Sequence, residues 1–117
     1  MKILLRETGG VFGSDRTVDI VENRLRVNDR AGGSLDRELT EGETDKVGEA
    51  ARRLVAAAGS LHAAPTAGVS DATFRELEIG DGGETRMYSV RSGEPVPDEF
   101  WELIGTLGEV ADGGGQA

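Results

Sequence analysis

The chain has 117 residues and a mass of 12.3 kDa, with 13 lysines and arginines against 22 aspartates and glutamates, a formal net charge of −9 and a pI near 4.5. That length suits one domain with a modest core, and the acidic balance argues against nucleic acid and against anionic membrane surfaces, which both call for a basic footprint. No cysteine is present, no apolar run nears the roughly 20 residues of a membrane span, and Met1-Lys2-Ile3-Leu4-Leu5-Arg6 has no signal-peptide core, so disulfides and thiolate chemistry are excluded and a soluble, cytoplasmic protein is expected.

From Lys2 to Glu7, Ile3 and Leu5 alternate with Lys2 and Arg6, the period of a strand with one buried face. Thr8-Gly9-Gly10 ends it, and Arg16 to Val21 alternates again with Val18 and Ile20 on one side, which predicts a wide hairpin with an exposed, glycine-rich connection. Glu22-Asn23 reads as a tight turn into Arg24 to Val27, Asn28 to Ser34 as loop, and Leu35 to Leu39 as a short strand. Thr40-Glu41-Gly42-Glu43 has the spacing of a capping box. The helix it opens places Val47, Ala50, Ala51, Leu54, Val55 and Ala58 on one stripe, and Gly59 is its expected left-handed stop.

Ser60 to Asp71 has no period and reads as a loop. Thr73 to Ile79 and Glu84 to Arg91 then flank Gly80-Asp81-Gly82-Gly83, the chemistry of a hairpin turn. Either Leu77 and Ile79 face the core with Thr73, or Phe74 does so across a bulge. Pro95-Val96-Pro97-Asp98 enters a second helix whose apolar face takes Phe100, Trp101, Leu103, Ile104 and Leu107. The order predicts an α+β fold: a two-layer domain over residues 1–110, an antiparallel β-sheet packed against two α-helices, followed by a disordered glycine-rich tail at 111–117.

Chemistry-bearing patterns are sparse. His62 is the only histidine, and a Ser-His-Asp arrangement would need it with Ser60 or Ser70, without a nucleophile-elbow pattern; a solvent-facing loop histidine is the simpler reading. Glu41, Glu43, Asp45, Glu76, Glu78, Asp81 and Glu84 lack calcium-loop spacing and read as capping, strand and turn positions. Gly9-Gly10-Val11-Phe12-Gly13 lacks the Lys-Ser/Thr ending of a phosphate loop and precedes a strand rather than a helix. It reads either as a connection needing positive φ or as a loop presenting Val11 and Phe12 to a partner. Trp101, at helical spacing with Leu103 and Ile104, is expected in the core rather than in recognition. No catalytic residue, metal or cofactor is expected.

The opening Met1-Lys2-Ile3 through Arg6, Gly9-Gly10, Gly13 and Arg16 resembles the start of the emfourin-like family, proteinaceous inhibitors of thermolysin- and protealysin-like (M4) metalloproteases of bacteria. The similarity continues through the helix of Glu43 to Ala58, the proline-bearing loop, Asp81-Gly82-Gly83, Val90-Arg91 and the Leu-rich last helix to about Leu107. The stretch Asn23 to Leu39 departs from the family pattern and reads as an extra hairpin. The resemblance implies a small α+β inhibitor that binds an M4 metalloprotease reversibly, without metal or cofactor of its own. The expected contact is the loop Gly9, Gly10, Val11, Phe12 and Gly13. The alternative is a non-catalytic binding or adaptor module with another partner, pairing through an exposed strand edge; a small enzyme using His62 ranks last.

Overall fold

Alternation up to Glu38 becomes four antiparallel strands, β1 (Lys2–Gly9), β2 (Ser14–Val21), β3 (Arg24–Asp29) and β4 (Gly33–Glu38). Then come α1 (Glu41–Ala57), the hairpin β5 (Thr73–Asp81) and β6 (Glu84–Arg91), and α2 (Asp98–Ala111). This is a computed structural model, and it describes residues 1–9, 14–29, 33–59, 61, 73–91 and 95–111. The strands form one six-stranded sheet in the order β4-β3-β2-β1-β5-β6, antiparallel at every pairing, with both helices on one face: the expected two-layer α+β fold.

Central β1 sets the register. Leu5 lies between Val18 and Leu77, and Ile3 between Ile20 and Ile79, so each strand contributes its alternate apolar residues to the helix-covered face. The pairing of β5 with β1 and β6 runs without a bulge; Leu77 and Ile79 face the core and Phe74 lies on the opposite face. Between Asn28 and Ser34 the expectation of a loop is corrected. β3 continues to Asp29 and β4 starts at Gly33, because main-chain pairing of Asp29 with Gly33 and of Asn28 with Ser34 suits polar side chains on a solvent-facing hairpin. The hairpin expected within Asn23 to Leu39 is thus β3–β4.

The capping box forms as the spacing predicts: Thr40 Oγ1 accepts from the Glu43 amide at 3.1 Å, and Glu43 Oε1 accepts from the Thr40 amide at 2.9 Å. The expected left-handed stop at Gly59 does not form. Ala58 is already extended (φ −153°, ψ 129°) and donates its amide to the Leu54 carbonyl. An extended exit is what the next contact requires, since Leu61 bridges the outer edge of β6: its amide donates to the Met87 carbonyl, and Ser89 donates to the Leu61 carbonyl. Buried Tyr88 fastens the same exit by donating its hydroxyl to the Ala58 carbonyl at 2.7 Å, and burial pushes its pKa up.

α2 runs antiparallel to α1, with Lys46 3.6 Å from Glu109 and Arg53 3.7 Å from Glu102. Phe100, Leu103, Leu107 and Val110 are buried against the sheet. The helix reaches Ala111, itself buried, so the domain extends one residue past the expected boundary at 110; the tail from Asp112 onward lies outside the described residues.

One side chain ties three elements together. Arg37 of β4 donates from Nη1 and Nη2 to the two carboxylate oxygens of Glu43 at 2.9 and 2.7 Å, and Nη2 also donates to the Val110 carbonyl at 2.9 Å. It thereby satisfies a last-turn carbonyl of α2 and braces the N-terminal cap of α1. The Arg37 guanidinium, with the Thr40 amide, holds the Glu43 carboxyl down to about 2.

Candidate binding surface

The sheet has two unlike ends. At one, β2 passes to β3 through Glu22-Asn23 and β5 to β6 through Gly82-Gly83, two residues each. At the other, the chain leaves β1 at Gly9, re-enters β2 at Ser14, leaves β3 at Asp29, enters β5 at Thr73 and leaves β6 at Arg91. Every longer connection between neighbouring strands departs from this second, loop end.

α1 crosses the strands over the tight-turn end. Grooves of about 350 and 270 Å³ lie on either side of Met1, the first against the β2–β3 turn and the second against the β5–β6 turn. Neither collects a cluster of reactive side chains. Among the described residues, no group of three or more histidines, aspartates and glutamates is arranged to hold a metal ion, and no helix is long and apolar enough to cross a membrane.

Toward the loop end the helix-covered face turns from apolar to charged. Glu7 of β1 sits between two arginines: Arg75 Nε on β5 donates to its Oε2 at 2.7 Å, and Arg16 Nε on β2 lies 3.8 Å from its Oε1. The Arg75 guanidinium stands over the Trp101 indole, 5.2 Å from the ring centroid, and Phe100 meets the indole edge-on with centroids 5.3 Å apart. Trp101 is nonetheless 42% exposed, which corrects its expected place in the core. At about 100° per residue it lies well off the stripe of Phe100, Leu103, Leu107 and Val110, so the wheel carried the signal that residue type concealed. An arginine over its ring and a buried phenylalanine at right angles to it orient this tryptophan while leaving much of its surface exposed.

Among the described residues, no helix lies on the second sheet face. Going across it, β4 presents Asp36 and Glu38, β3 Arg24 and Arg26, and β2 Asp15 and Asp19. β1 then presents Lys2 and Arg6, β5 Glu76 and Glu78, and β6 Arg91, so the sign of charge alternates at every strand. Neighbouring stripes pair within the chain: Asp36 accepts from Arg24 Nε at 2.6 Å and lies 3.4 Å from Arg26, and Arg24 holds its carboxyl below the usual range. Exposed Val21 and Met87 and half-buried Leu4 and Phe74 lie among these charges. The edges are less open than the face. β4 carries Asp36, Arg37 and Glu38 in succession, and Leu61 occupies the outer edge of β6 beside Tyr88, both of which discourage edge-to-edge pairing.

Of the expected contact loop, Gly9 closes β1 with φ 98°, paired to both Ser14 and Thr73 in the middle of the loop end. Gly10, Val11, Phe12 and Gly13 lie outside the described residues, as do Ser60, His62 and Ser70. Glu41, Asp45 and Glu49 line the outer surface of α1, and Glu43 belongs to the cap. Sequence reasoning missed the Glu7–Arg16–Arg75 cluster; Glu7↔Arg16 and Glu7↔Arg75 are cross-strand pairs, and the second needs the long-range β1–β5 register. No protein-family model, curated protein or solved structure matches this chain.

Proposed function

We propose that this domain is a reversible, non-catalytic inhibitor of a thermolysin-like (M4) metalloprotease, capping the protease cleft with the loop end of its sheet. The observation that carries the reading is Trp101, exposed and held by Arg75 and Phe100 next to the end from which the Gly9 to Gly13 connection departs. The emfourin-like order of segments supplies the partner class. A rigid sheet that fixes a cluster of loops lowers the ordering cost of association, and an aromatic anchor beside them supplies area without a cleavable bond. An interface of standard size, roughly 800 Å² per partner, needs both the loops and the tryptophan on a molecule this small.

Titration of thermolysin, and of an M4 protease from the same source, with purified protein tests the reading. Stoichiometric loss of activity with an intact co-eluting complex is expected, and Phe12→Ala and Trp101→Ala should each weaken it. Undiminished activity of both proteases overturns the inhibitor reading. What would then remain is a non-catalytic protein-binding module with a different partner, for which Trp101 is the same anchor.

A further inference from the structure

We infer that the helix-free face of the sheet is a self-complementary surface that pairs with the same face of a second copy of this chain, about a two-fold axis running along the strands between β2 and β1. The charge stripes of this face have the symmetry such a pairing requires. Six stripes of alternating sign are antisymmetric about the middle of the sheet. A two-fold along the strands reverses their order in the partner, so β4 lies over β6, β3 over β5 and β2 over β1: Arg26 then meets Glu78 directly, and Asp19 faces Leu4 between the partner's Lys2 and Arg6. A two-fold across the strands would instead set each stripe over itself, like charge on like. Only the first arrangement gives an isologous interface with complementary potential.

The register sharpens this to particular residues. Arg26, Asp19, Leu4 and Glu78 occupy one row across the sheet. The axis places Arg26 of each copy over the partner's Glu78, so the contact occurs twice. The face spans roughly 29 Å across six strands and about 23 Å along them at ordinary strand spacing and rise, near the footprint of a standard interface. Its sheets would stack in the aligned manner, with mean strand directions close to parallel. Val21, Leu4, Phe74 and Met87 supply the apolar area, and the stripes supply orientation and encounter rate. The same axis points both loop ends in one direction, so the pair would present two copies of the proposed binding end side by side. The inference does not depend on what that end binds.

Sedimentation equilibrium of the full chain at low and high salt tests it, with Arg26→Glu and Glu78→Arg variants whose folding is checked by circular dichroism. The expected result is a parent that reaches twice its 12.3 kDa mass at micromolar concentrations and low salt, dissociating as salt rises. Each reversal alone should weaken association by about tenfold or more. An equimolar mixture of the two variants should restore it, because acid then meets base at both contacts. A parent that is monomeric throughout overturns the inference and leaves the face to a different partner or to solvent. A dimer indifferent to both reversals also overturns it, since Arg26 and Glu78 lie on inner strands that edge pairing would not bring together. Failure of the mixture to recover has the same consequence.

Discussion

At the tight-turn end of the sheet the chain reverses in two residues at Glu22-Asn23 and again at Gly82-Gly83, and polar chemistry is spent on holding elements together: the Thr40–Glu43 box, and Arg37 reaching from β4 to the start of α1 and the end of α2. At the loop end the arginines have a different use. Arg75 and Arg16 share one carboxylate, Glu7, and Arg75 turns its guanidinium face to an exposed indole. The contrast teaches how a chain of this size divides its labour. One end closes the fold with groups that have little left to offer a partner, and the other arranges its groups so that a large aromatic surface stays in water.

Arginine truncation breaks the comparison most directly. Arg37→Ala removes both guanidinium hydrogen bonds to Glu43 and the donor to Val110 in a part-buried site, and should cost about 3 kcal/mol of unfolding free energy in a urea titration. Arg75→Ala leaves Glu7 with Arg16 and should cost about 1 kcal/mol. Equal losses would show that both ends are structural. Trp101→Ala should do the opposite of Arg37→Ala: stability changes by less than about 1 kcal/mol, while affinity for the partner falls by about 2 kcal/mol, near thirtyfold. A large stability loss with unchanged binding would move Trp101 back to the structural column.

Acid titration separates the ends by a second route. The Glu43 carboxyl is held to about 2 by Arg37 and by the Thr40 amide, against an ordinary 4.5. A group whose folded pKa is depressed contributes stability that is present in full above the unfolded value and disappears as pH falls through the folded one. The contribution, up to about 2 kcal/mol after allowance for partial exposure, should therefore be lost between pH 4.5 and 2. Glu43→Gln should lower stability at neutral pH and flatten the dependence across that window, as read from melting temperatures at fixed salt.

Much of this fold was legible in the sequence because its signals are local. The capping box is a four-residue pattern, the β-alternation has period two, and Gly82-Gly83, with φ of 61° and 88°, is the kind of pair a two-residue hairpin demands. What was not legible depends on partners distant in the chain. The adjacency of β1 and β5 comes from packing two amphipathic faces under one helical layer, and with it comes the second arginine on Glu7. The end of α1 was misread for a related reason: Gly59 has the composition of a stop, yet the path is set by where Leu61 and Tyr88 need the chain to go. Trp101 was legible and misjudged, because a large aromatic in an apolar helix suggests burial while its angle on the helix says otherwise.

The smallest expected effect tests whether the tight-turn end is itself free of strain. Glu22 is the one non-glycine residue with positive φ among those described, at 56°, in the first central position of its turn. Left-handed backbone costs an L-residue about 1–2 kcal/mol relative to glycine, whereas glycine gives back about 0.5–1 kcal/mol through the greater freedom of the unfolded chain. The Glu22 carboxylate is 79% exposed, so its removal forfeits little. Glu22→Gly should then stabilise the domain by about 0.5 kcal/mol, a rise of a few degrees in Tm for a chain of this length. Gly83→Ala, whose left-handed backbone cost at φ 88° outweighs the unfolded-chain entropy it removes, should destabilise it by about 1 kcal/mol. Opposite signs at the two turns would show that both reversals need left-handed backbone and that only one is occupied by the residue suited to it; a loss at both would mean that the Glu22 side chain contributes more to its turn than its exposure implies.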